Sequence, residues 1–268
     1  MERLVLSLLG GFDARWESGP GVVVPTQKAR ALLAYLACSR SERHSRDKLA
    51  ALLWGDSEQG CARHSLRQGL YVLRSTLDSV MPRILRCDSD SVALDRSRLS
   101  VDSLEFERLA HVDAQEALER AGDLYRGDFL VGIAAGNQTF EDWLRDERDR
   151  LNELAFDVYG KLLAHQWKAG LLTKAILSAQ RLLAIDPLQE DAYQVLMRLY
   201  IAQGHLGAAR RQYQACVRML HREFGVGPQS ETKALLTEIT SRRVVRKLRD
   251  HVMDEVSDPL TTFEGPAA

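Results

Sequence analysis

Between Cys61 and Val80 the apolar positions Leu66, Leu70, Leu73 and Leu77 recur at steps of four, three and four. That spacing places them on one side of an α-helix. Arg63, His64, Ser65, Arg67 and Gln68 fill most of the rest of its front half, Arg74 follows, and no acidic residue appears before Asp78. A helix hidden on its leucine side and offering guanidiniums, an imidazole and an amide on the other fits a DNA major groove. There Arg pairs with guanine edges, Gln with adenine, and both can hold phosphates. The plainer reading is an amphipathic helix with a solvated basic face, and this stretch alone does not separate the two.

The neighbouring pattern supplies a context. Leu4, Leu6 and Leu8 alternate with Val5, Ser7 and Leu9, which predicts a strand covered on both faces. Phe12 to Trp16 and Val22 to Val24 predict two more strands around a Ser-Gly-Pro-Gly turn, so the chain is expected to open with a small antiparallel sheet. Thr26 is placed to cap a helix with Leu32, Leu33 and Leu36 inward. Ser45 is placed to cap a second, with Asp47 at the positive end of its dipole and Leu49, Leu52, Leu53 and Trp54 inward. After the third helix, Ile84 to Cys87 and Val92 to Leu94 flank Asp88-Ser89-Asp90-Ser91, the pattern of a β-hairpin. A sheet, three helices and a hairpin together make a winged helix-turn-helix, with the third helix as reader and the hairpin as wing.

From Val101 onward the periodicity is helical nearly throughout. Asp102 and Asp113 are placed to cap two helices, and a Gly-rich connection over residues 124–140 anchors Leu124, Phe129 and Leu130. Trp143, Leu144, Leu151, Leu154 and Phe156 are core candidates of a long helix beyond it. An internal repeat of 34 residues then relates Tyr159 to Tyr193, Leu163 to Met197, Gly170 to Gly204, Ala175 to Ala209 and Leu183 to Val217. That period, with Gly at a helix turn and Ala where helices pack closely, is the tetratricopeptide pattern, and Asp186-Pro187 suits the break between repeats.

The segments KARALLAYLA, HSRDKLAALLW and ARHSLRQGLYVLRSTL, in this order, resemble the DNA-binding domain of SARP-type bacterial transcriptional activators, which is similar to the OmpR-type winged helix. The fragments LYRGDFL and FEDWLRDERDRL resemble the bacterial transcriptional activator domain that follows it in that family. The expected fold is mainly α with a small β component. Residues 1–100 would form the winged-helix domain, 101–249 an all-α tetratricopeptide-like domain, and 250–268 a flexible tail or the start of a linker. The resemblance implies an activator that binds direct repeats in double-stranded promoter DNA and recruits RNA polymerase holoenzyme. The helical domain is expected to carry partner contacts and a homodimer contact. One departure concerns the wing. Family wings often carry a Gly-Tyr and basic character, whereas Asp88 and Asp90 at this tip would repel phosphates, leaving Arg83 and Arg86 at its base to reach the backbone.

Charge, cysteines and chemistry narrow the picture. Residues 1–100 carry 15 Lys and Arg against 11 Asp and Glu, and the remainder 21 against 26, a mildly basic front and an acidic back. Cys38, Cys61, Cys87 and Cys216 form no CxxC pair, which suggests reduced thiols and a cytoplasmic protein. The opening MERLVLSLLGG reads as too short and too weakly flanked for a signal peptide, and no span approaches 18 apolar residues. Phosphate loops, HExxH, GxSxG and GxGxxG are absent, and the seven histidines lack metal spacing, so neither an enzyme nor a cofactor is expected. His44 reads as a turn residue or phosphate contact.

The DNA reading assigns roles. Arg67 and Gln68 are expected to read base edges, each bidentate pair contributing about 1–3 kcal/mol of discrimination. Arg63, His64 and Arg74 are expected on phosphates, as are Ser45 and Arg46 at the start of the second helix. Tyr71 would reach a thymine methyl or a sugar, or else pack on the second helix. The basic run Arg242, Arg243, Arg246, Lys247 and Arg249 is either a second nucleic-acid contact or a solvated helix end. The competing function is a helical-repeat interaction or effector-sensing module whose winged domain has lost DNA reading.

Overall fold

The computed structural model describes residues 2–19 and 21–242. It divides into two compact units, Met1–Lys161 and Leu162–Ala268. The described part of the run 242–249 is Arg242 alone, which pairs with Glu238 at 2.9 Å; the rest of that run and residues 250–268 lie outside the described residues.

The first unit opens with β1 (Leu4–Ser7) and β2 (Asp13–Trp16), paired antiparallel. The helices α1 (Gln27–Cys38), α2 (Arg46–Trp54) and α3 (Gln59–Asp78) follow, with β3 (Arg43–Ser45) before α2. The wing is β4 (Leu85–Cys87) with β5 (Ser91–Leu94), and β3 joins it in the order β3-β5-β4. β6 (Leu99–Val101) returns to the first sheet and pairs parallel to β1, Leu4 against Leu99.

Two expectations for this sheet are corrected. It is mixed rather than antiparallel, in the order β2-β1-β6. Val22–Val24 forms no strand. One bridge, Arg15 to Gly21, and one amide, Val22 N–H to the Ala14 carbonyl at 2.7 Å, follow β2 before Pro25, which has no N–H to continue a ladder. β1 is also not covered equally: Leu4 and Leu6 are fully buried, while Val5 and Ser7 remain half-exposed.

α1 is buried nearly all round, from Ala31 to Ala37, and so forms the centre of this unit. Thr26 caps it as expected, accepting from the Ala29 amide at 3.1 Å, and Ser45 caps α2 through the Lys48 amide at 3.1 Å. α3 packs on α1, α2 and β4. Gly69 lets it do so closely, since a Cβ there would stand 3.3 Å from the Trp54 ring.

α4 (Asp102–Ala110), α5 (Gln115–Leu124) and the front of α6 (Gln138–Lys168) belong to the same unit. Neither Asp102 nor Asp113 caps its helix. The Asp102 carboxylate instead accepts the Leu8 amide at 2.8 Å and the Leu9 amide at 3.1 Å, where β1 has run out of ladder partners. The segment LYRGDFL lies along the same stretch. Leu9 bridges to Phe129, the Gly10 amide donates to the Asp128 carbonyl and the Leu130 amide to the Leu8 carbonyl. Leu130 has φ 52°, and the Arg148 guanidinium holds this bend by donating to the Phe129 carbonyl at 2.7 Å and the Leu130 carbonyl at 2.9 Å.

The second unit contains α7 (Leu172–Ile185), α8 (Glu190–Ala202), α9 (Leu206–Phe224) and a helical stretch over 230–242. The 34-residue repeat is visible in its turns: Gly170 and Gly204 both hold left-handed φ, 70° and 74°. Ala175 and Ala209 are fully buried one turn into the following helices. α7 packs on α8 through Ala175 and Ala179 against Leu196 and Leu199, and α8 on α9 through Met197 and Ile201 against Ala209 and Cys216.

Candidate nucleic-acid interface

α3 is a 20-residue helix, about 30 Å long. Leu66, Leu70, Leu73 and Leu77 are buried, none above 3% exposed. Arg63, His64, Arg67, Gln68, Tyr71 and Arg74 are all exposed and form a stripe on the opposite side. Tyr71 is 69% exposed, which removes the reading in which it packs on α2.

The start of α2 and the wing turn close one end of this stripe. Ser45, Arg46 and Asp47 from α2, Arg63, Leu66 and Arg67 from α3, and Ser89 and Asp90 from the wing line one pocket of about 450 Å³. The Arg46 amide donates to the Asp90 carbonyl at 3.0 Å, tying α2 to the wing turn. Arg46 itself is half-buried, and its Nε has no hydrogen-bond partner among the described residues.

Several of the cations have carboxylate partners. Arg63 donates from Nε to Asp47 Oδ1 at 2.8 Å and from Nη2 to Asp47 Oδ2 at 3.0 Å. This two-point pairing holds the Asp47 carboxyl below its usual range and raises the Arg63 guanidinium. Arg74 donates to Asp78 at 3.2 Å and Arg86 to Asp95 at 3.1 Å. Arg83 stands at φ 64° with its amide on Asp78. Arg67 has no ion-pair partner among the described residues.

Asp47 is the residue that sequence reasoning left out. It reads as a complement to the α2 dipole, and nothing in sequence spacing links it to Arg63, sixteen positions on in another helix. The juxtaposition of two helix starts in a helix-turn-helix is the signal that could have found it.

His44, read as a turn residue or phosphate contact, is corrected: it sits on β3, 3% exposed, with its ring 5.3 Å from that of Tyr35. Neither ring nitrogen has a hydrogen-bond partner of good geometry among the described residues. Burial, aided by the Lys48 and Arg96 cations, holds its pKa below the ordinary 6.5. The unfolded chain therefore takes up a proton near pH 6.5 that the folded chain refuses, and stability falls as pH drops below that value. His44→Leu is expected to flatten this dependence, read as a smaller drop in urea midpoint between about pH 7.5 and pH 5.5 than the parent shows.

Three comparisons with known proteins concern the chain as a whole. The family model described as the bacterial transcriptional activator domain matches residues 90–240. The transcriptional regulatory protein MoaR1 of Mycobacterium tuberculosis is 27% identical over 240 residues, which cover 82% of this chain and 74% of that protein. MoaR1 of Mycobacterium bovis is 26% identical over the same shares. Among solved structures, Mycobacterium tuberculosis EmbR in complex with a low-affinity phosphopeptide superposes with a TM-score of 0.61 at 21% identity, over 90% of this chain and 66% of that one. That last likeness is one of fold, and this chain spans just under two thirds of the EmbR chain.

Proposed function

We propose, on the premise that this chain belongs to the bacterial transcriptional activator domain family and is of the SARP type, that it binds double-stranded promoter DNA through α3. The family consists of transcriptional regulators; the route by which this member regulates is our reading. Residues 1–100 act as the reading domain and residues 101–249 as the helical-repeat domain, in a cytoplasmic protein. The one observation that supports the reading best is the division of α3 into a buried leucine side and an exposed stripe from Arg63 to Arg74. A helix so divided can enter a major groove without disturbing its own packing. Arg67 and Gln68 read base edges, Ser45, Arg46, His64, Arg74 and Arg86 hold the backbone, and Tyr71 reaches a thymine methyl or a sugar. Two copies bind direct repeats, and the helical-repeat domain provides the homodimer contact and meets RNA polymerase holoenzyme.

Genomic fragments retained by the protein at controlled salt, then sequenced, test this reading. Arg67→Ala is expected to weaken the enriched site more than random DNA, and equal loss on both would refute its base-reading role. Arg46→Ala is expected to weaken both alike and to reduce the salt slope by about 0.9.

A second reading is favoured by the acidic wing and by the carboxylates on Arg63, Arg74 and Arg86. In it the winged domain does not read DNA, and the helical repeats bind a protein or effector. Failure of every genomic fragment to shift at low salt would decide for it.

A further inference from the structure

The pairing of Arg63 with Asp47 suggests a different role for that arginine than its sequence position does. A guanidinium has five N–H donors in a plane. Asp47 takes Nε–H and one Nη2–H, at 2.8 Å and 3.0 Å. The outer edge is left with one Nη1–H and one Nη2–H, parallel and adjacent. That edge matches the paired acceptors O6 and N7 of guanine in the major groove.

Charge points the same way. A phosphate contact draws its affinity from the release of counterions by an uncompensated cation. Asp47 pairs Arg63 at two points, so a phosphate docked on Arg63 would meet the carboxylate as well, whereas Arg74 and Arg86 each give their carboxylate a single bond, at 3.2 Å and 3.1 Å, and keep the rest of the fork for a phosphate. Arg67, one turn along α3 and lining the same pocket, has no such partner among the described residues. The two arginines therefore differ in one respect: Asp47 aims Arg63, whereas no carboxylate among the described residues positions Arg67.

We infer that Arg63 reads a guanine edge and that Asp47 is its positioning residue, fixing the guanidinium plane and preventing Arg63 from gripping phosphate. The inference rests on the reading of α3 as a DNA-binding helix. Asp47 sets specificity without touching DNA. Its removal is predicted to strengthen binding to unrelated sequences while weakening discrimination.

The test uses the full chain and a pool of random duplexes. The parent protein selects an enriched sequence, and binding to that duplex and to a scrambled one of equal length is followed across salt concentrations. Arg63→Ala is expected to lose roughly 5- to 150-fold on the enriched duplex, the span of one bidentate base contact. It is expected to change the scrambled duplex little, leave the salt slope unchanged and erase preference for a G·C pair at one position. Asp47→Asn is expected to bind the scrambled duplex more tightly, steepen the salt slope by about 0.9 and blur that same position. In the Arg63→Ala background, Asp47→Asn should add no further loss of discrimination. Both side chains are more than half exposed, so these variants fold. Equal loss by Arg63→Ala on both duplexes with a shallower slope would overturn the assignment while leaving DNA binding intact. A parent protein that enriches no sequence would overturn both this inference and the reading beneath it.

Discussion

Leu73→Ala is expected to lower the unfolding free energy by about 2–5 kcal/mol, the cost of deleting a fully buried leucine and leaving a cavity. Leu73 is 0% exposed and lies in the middle of α3, where the helix packs on α1, α2 and β4. Domains of this kind have only about 5–15 kcal/mol in total, so the loss removes a large share. Urea denaturation followed by circular dichroism measures it. Leu73→Met keeps the volume and is expected to lose less than about 1.5 kcal/mol. DNA retention by the two variants below their midpoints then separates a helix that has melted from one that has lost a contact. An equal midpoint for Leu73→Ala and the parent would contradict the packing described for α3.

Asp102→Ala is expected to be the second large effect. Its carboxylate accepts the amides of Leu8 and Leu9, whose side chains are buried. An inward amide left without a partner costs about 1–3 kcal/mol, so removing both acceptors is expected to cost about 2 kcal/mol or more. Burial pushes the Asp102 carboxyl above its ordinary value, while the two amides pull it down. Asp102→Asn keeps one acceptor oxygen without the charge, and is expected to recover about half of the loss. Amide exchange at Leu8 and Leu9 reports the site directly: faster exchange confined to those two residues is the expected signature, and unchanged protection would refute it.

The α-helices were legible because their signals are local. The α3 stripe, the Thr26 and Ser45 caps and the Gly170 and Gly204 turns each sit within a few residues of the feature they specify. The elements that were not legible depend on distant partners. β6 is three residues long, and nothing in Leu99-Ser100-Val101 announces a parallel register with Leu4 to Leu6. β3 is equally short and becomes a strand through Val92 and its neighbours. The cap rule that singles out Asp102 is local, whereas its partners lie more than ninety positions away. The same limit applies to the interface. The exposed stripe of α3 could be listed from periodicity, but the division of its arginines into paired and free could not. The charges of Asp47, Asp78 and Asp95 count in sequence only toward a net balance, while in space each neutralises one cation.

The parallel pairing of β1 with β6 also bears on how the nascent chain matures. Leu4 leaves the ribosome long before Leu99, its partner. At about 5–20 residues per second, the interval is roughly 5–20 s. Through that time one edge of β1 has unpaired amides and carbonyls, the template on which strands of other polypeptides aggregate. Expression fragments ending before Leu99 keep that edge bare permanently and are expected to be found in inclusion bodies, whereas fragments that continue past Val101 close it.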